Sequence, residues 1–145
     1  MKHYEGRFNQ MLERSIRENW EEPALTDYVS CFTYNYKDIA AAIEKMHILY
    51  REMGIKPDDK IALVGKNTPE WGIVFLSAVS YGAIIVPILQ NFPVDDIHHI
   101  VNHSESSLLF VSDNFKDQIL EENIKAPSKA KITSSLVVRD RLFRV

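Results

Sequence analysis

The chain has one cysteine, Cys31, in 145 residues, so an internal disulfide is excluded and the core has to come from packing. That usage fits a reducing, cytoplasmic setting. Cys31 lies between Ser30 and Phe32 in what reads as a strand, and a buried, inert thiol is expected there rather than a nucleophile. Excess positive charge is also missing. The net charge is −3, Lys and Arg are scattered apart from a weakly basic end (Arg139, Arg141, Arg144), and a nucleic-acid partner would favour a basic face. No apolar run reaches the roughly 18 residues that a membrane span needs. Residues Met1 to Gly6 have nothing like the apolar segment of a signal peptide. There is no internal repeat and no low-complexity segment. What remains is 46% hydrophobic and 26% charged, the composition of a soluble globular domain. A chain of this length makes one domain and buries roughly 70% of its unfolded surface.

Hydrophobic spacing gives the elements. Residues 8–20 read as a helix, with Phe8, Met11, Leu12, Ser15, Ile16 and Asn19 on one face and Pro23 as its limit. Residues 24–27 and 30–33 read as short strands of a hairpin. Ile39, Ile43, Met46, Leu49, Tyr50 and Met53 recur at three- and four-residue steps and define an amphipathic helix. Asn35 and Asp38 have the spacing of a capping box, and Gly54 suits the left-handed residue after the helix. Residues 60–65 form a uniformly apolar buried strand. The next helix starts in either of two registers. Asn67 with Glu70 makes a capping box, whereas Thr68 with Pro69 at the first helical position fits equally well. This helix carries Trp71, Val74, Phe75, Ala78 and Val79 and ends near Gly82. Residues 83–87 read as a second buried strand. Pro93 with Asp95 and Asp96 opens a further helix whose apolar face is Ile97, Ile100 and Val101. Residues 108–111 are a third strand, 114–123 a short helix, 125–131 a polar connector, and 132–138 a possible extra strand. Strand, helix, strand, helix, strand implies an α/β fold with a parallel sheet and right-handed crossovers.

Four groups invite a chemical reading. His99 and His103 are one turn apart, with His98 beside them, a spacing that can hold a metal. The glutamate of a zinc-protease helix is absent, because Ile100 stands there, so a solvated face is the expectation. Gly65-Lys66-Asn67-Thr68 follows a buried strand but lacks the second glycine and the Gly-Lys-Ser/Thr ending of a phosphate loop; an ordinary strand-to-helix turn is expected. No Gly-x-Gly-x-x-Gly fingerprint of a dinucleotide fold occurs. Trp20 and Trp71 could stack on a ligand, although a core or boundary role suits Trp71. Glu70 could be an acid, but capping already explains it. Ser104, Ser106 and Ser107 follow His103 too closely for a hydrolase dyad. The residues alone therefore nominate no catalytic, cofactor-binding or metal-binding residue.

Several segments in order carry a resemblance: Asn35-Tyr36-Lys37-Asp38-Ile39, Gly54 with Asp59, Asn67-Thr68-Pro69-Glu70-Trp71, and Gly82-Ala83-Ile84-Ile85-Val86-Pro87. From Trp20 to about Ile124 the chain resembles the N-terminal region of adenylate-forming (AMP-binding) enzymes, most closely the long-chain acyl-CoA synthetases. Asp58 replaces the family's second glycine in the turn, and aspartate tolerates a left-handed conformation. The resemblance implies a three-layer βαβαβ subdomain preceded by a short helix and hairpin, with residues 1–145 as part of an N-terminal domain, its core at about 20–124 and 125–145 a truncated connector. It also implies a parent ligase of fatty acid metabolism. Such a ligase uses ATP and Mg²⁺ to make an acyl-adenylate and passes the acyl group to coenzyme A. The family's phosphate loop, acidic residues and catalytic lysine lie downstream of this sequence. Two expectations follow: an inactive N-terminal portion whose partners are the nucleotide-binding subdomain and C-terminal domain, or a standalone α/β interaction module. An adenylation domain that loads a carrier protein is a further alternative. The first expects an exposed apolar face where the missing subdomain would dock, able to promote self-association; a cytoplasmic protein is expected, with contact with membranes left open.

Overall fold

A computed structural model describes residues 8–112, 115, 118–119 and 123–125, and the backbone of 131–134. Ten elements follow in order. Helix α1 (Phe8–Glu18) leads into an antiparallel hairpin of β1 (Pro23–Thr26) and β2 (Thr33–Asn35). Helix α2 (Tyr36–Glu52) precedes the alternating part: β3 (Lys60–Val64), α3 (Pro69–Tyr81), β4 (Ile84–Ile88), α4 (Val94–Ser104), β5 (Leu108–Val111) and β6 (Lys131–Ser134).

The sheet is parallel throughout, in the order β4-β3-β5-β6. Right-handed crossovers that travel in opposite directions must lie on opposite faces. Accordingly α2 and α3 pack on one face with Ile61, Leu63, Leu108 and Phe110, while α4 packs on the other with Ala62, Val64, Leu109 and Val111. The period-two alternation of β3 and β5 therefore feeds two separate cores, which is why both strands read as unbroken apolar runs. The α/β three-layer architecture is the one the sequence implies.

Helix ends follow their local chemistry. The Asp38 carboxylate accepts the Asn35 backbone N–H at 2.9 Å, as a capping box requires. Gly54 at φ 75° and Gly82 at φ 88° take the left-handed positions after α2 and α3. For α3 the register is settled: Thr68 is the N-cap, its Oγ1 accepting the Trp71 N–H at 3.3 Å, and Pro69 is the first helical residue. Glu70 therefore closes no capping box; its carboxylate accepts the Tyr34 hydroxyl at 3.0 Å and ties α3 to the hairpin.

Other expectations are corrected. The second hairpin strand is 33–35, not 30–33, because it runs straight into the cap of α2. Cys31 lies in the turn at φ 57° and is exposed, not buried in a strand. The strand expected at 83–87 is Ile84–Ile88, and it is the edge of the sheet rather than a buried strand: Ile84 and Pro87 are exposed. Of the helix expected at 114–123, only residues 115, 118, 119 and 123 are described. The extra strand is present at Lys131–Ser134; residues 135–138 lie outside the described residues.

Candidate functional site

In an open α/β sheet, ligands bind outside the carboxyl ends of the strands where neighbouring strands send their connections opposite ways. Here that point falls between β3, which leads to α3 and β4, and β5, which leads towards β6. The floor of this crevice is very tight. The Ser112 backbone N–H donates to Val64 O at 3.0 Å. A Cβ on Gly65 would lie 2.9 Å from both Cβ and Oγ of Ser112. Glycine is therefore needed at 65 for close approach. The Ser112 Oγ is buried and makes no hydrogen bond among the described residues.

This crevice does not fit a polyphosphate. Gly65 is spent on contact with Ser112, Lys66 O accepts the Thr68 N–H in a tight turn at 2.8 Å, and the Thr68 hydroxyl caps the helix end. Glu70 already places a carboxylate in the first turn of α3, where an anion would otherwise be drawn. The strand-to-helix turn expected from sequence is what the structure contains.

The histidines separate. His98 is buried at 6% exposure, which corrects the expectation of a solvated face. His99 and His103 are exposed, with rings nearly parallel at 5.8 Å. No cluster of three metal-ligating side chains occurs among the described residues. Ser104 Oγ contacts Ser106 Oγ at 2.7 Å and donates to Val101 O, so it is not paired with His103. Trp71 is half-buried and stacks on Phe75, whereas Trp20 is 49% exposed.

A second concavity was not foreseen. Helices α1 and α2 run antiparallel: Asn9 Nδ2 at the start of α1 donates to Ser80 O, and His47 near the end of α2 has Nε2 3.0 Å from Ser80 Oγ and 3.0 Å from Ser77 O. At the other end the Lys37 N–H donates to Trp20 O. Between them lies a groove of about 480 Å³ lined by Leu12, Ile16, Trp20, Ile43, His47 and Arg51 among others. Burial, and secondarily the Arg51 charge, hold His47 below the usual imidazole range, against the opposing contact with Ser77. Beneath it, Tyr50 exchanges a 2.9 Å hydrogen bond with Ser77, and burial pushes the phenol well above its ordinary value. His47 flanks the apolar stripe of α2, but that position alone does not signal a groove.

Residues 12–143 match the family model described as AMP-binding enzyme. Long chain acyl-CoA synthetase 2 of Arabidopsis thaliana is 32% identical over 85 residues, which is 59% of this chain and 13% of the relative. Long-chain-fatty-acid–CoA ligase 1 of Homo sapiens is 32% identical over 93 residues, 63% of this chain and 13% of the relative. The chain thus spans about an eighth of the length of these relatives. Among solved structures, a Mycobacterium tuberculosis fatty acyl CoA synthetase superposes with a TM-score of 0.75 at 19% identity, covering 88% of this chain and 26% of that one.

Proposed function

The chain belongs to the AMP-binding enzymes, and on that premise we propose that it is the N-terminal scaffold of a ligase that activates a long-chain fatty acid and transfers it to coenzyme A. The match over residues 12–143 carries this reading, and the names of the relatives supply the substrate class. The scaffold's work is mechanical. It presents a two-sided parallel sheet on which the remaining subdomains build, while ATP, Mg²⁺, coenzyme A and the catalytic groups belong to those other parts. The crevice at Gly65 and Ser112, closed to phosphate, is consistent with that division.

Two measurements test it. ATP–pyrophosphate exchange by the 145-residue chain with palmitate should stay at background, and activity above background overturns the scaffold role. An antibody raised against this chain should detect a native polypeptide several times heavier than 16.7 kDa. A native product of this size would instead support a standalone interaction module.

A further inference from the structure

The groove between α1 and α2 has a polarity that changes along its length. One end, at Ile16, Ile43 and Trp20, is apolar, and Leu12 continues that surface. The other end gathers the Asn9 amide, the His47 imidazole and the Arg51 guanidinium. Helix α1 does not close over it: none of its residues is fully buried, and Trp20 stays half-exposed. The volume of about 480 Å³ falls within the range of small-molecule sites. The walls are two helices, the shorter about 16 Å long, so the space suits a linear chain better than a broad ring system.

Charge selects the head group. Arg17 is matched by Glu13 at 2.6 Å, one turn back on α1. Glu44 lines the groove on α2, one turn before His47, on which its charge acts, and two turns before Arg51. Arg51, in the last turn of α2, takes part in none of the ion pairs among the described residues. A cation is therefore available at the polar end, beside an amide and a neutral histidine.

We propose that this groove binds one monomeric amphiphile, a linear aliphatic carboxylate, with its chain along Leu12, Ile16 and Ile43 and its head at Arg51. The site lies wholly within this chain and needs no nucleotide, so it stands or falls independently of the ligase reading. It is distinct from the strand-end crevice: its polar end lies at Ser80, near the C-terminal end of α3, whereas Gly65 precedes the N-terminal end of that helix.

The test uses the full 145-residue chain and decanoate below its aggregation concentration. Calorimetry should give saturable binding of one equivalent. Tryptophan emission should change in parallel, and Trp20→Phe should abolish that change while Trp71 remains. Arg51→Ala should weaken binding tenfold or more with an unchanged melting profile, because the side chain is exposed, and decanol should bind at least tenfold more weakly than decanoate. Absence of saturable binding, equal affinity for decanol, or insensitivity to Arg51→Ala overturns the proposal. So does a concentration-dependent dimer that shields Trp20, which would make a second copy the occupant.

Discussion

Gly65 holds a position that chemistry makes intolerant of change. At Gly65 a methyl group would press on Ser112 at 2.9 Å, where real Cβ contacts do not occur. Gly65→Ala is expected to destabilise the chain by about 1–3 kcal/mol, read from urea unfolding with an unchanged slope. Its neighbour behaves oppositely. Ser112→Ala removes a buried hydroxyl that has no partner among the described residues, and stability should stay level or rise by up to ~1 kcal/mol. A clear loss would reveal a partner for that oxygen elsewhere in the chain. His47 gives the pH signature. Its folded value is depressed, mainly by burial, so the stability it contributes is present above the ordinary imidazole value of about 6.5 and is lost as pH falls through the folded value. The melting temperature should drop between pH 7.5 and pH 5.5, and His47→Gln should flatten that slope.

Elements differ in how far their residues announce them. Helix α2 was fully legible, because its apolar stripe, N-cap and terminal glycine all agree, and five of its residues are buried. For α3 the sequence offered two caps one residue apart; the Thr68 hydroxyl takes the cap, and Glu70 is engaged instead by Tyr34, 36 residues earlier in the chain. Thr68→Ala should therefore cost about 1 kcal/mol in thermal or urea unfolding, whereas Asn67→Ala should be near neutral. Strand β4 was misread as buried because an edge strand flanked by helices looks as apolar as a central one. Pro87 was the available clue. Ile84 directs its N–H at Asp59 O, towards β3, so by alternation residue 87 faces the outer edge, where a residue without an N–H does no harm. Pro87→Val restores that donor and should increase self-association in light scattering at equal concentration. The groove was illegible, since it depends on how closely two helices approach, which no spacing within either one specifies.

At the scale of the molecule, apolar surface is distributed unevenly. Ile84, Leu89 and Phe92 are exposed on or just after the edge strand, with Leu89 at 67%. A scaffold awaiting further subdomains should bind a hydrophobic dye there, and Leu89→Asp with Phe92→Asp should remove most of the signal without shifting the melting temperature; unchanged dye binding would locate the sticky surface elsewhere. The strand order has one more result, felt during synthesis. Strand β3 takes β4 on one side, but its other neighbour begins pairing at Leu108, which follows Ile61 by 47 residues. At typical elongation rates that edge waits roughly two to nine seconds for its mate to leave the ribosome. For that interval a strand apolar from Ile61 to Val64 keeps one edge without its partner.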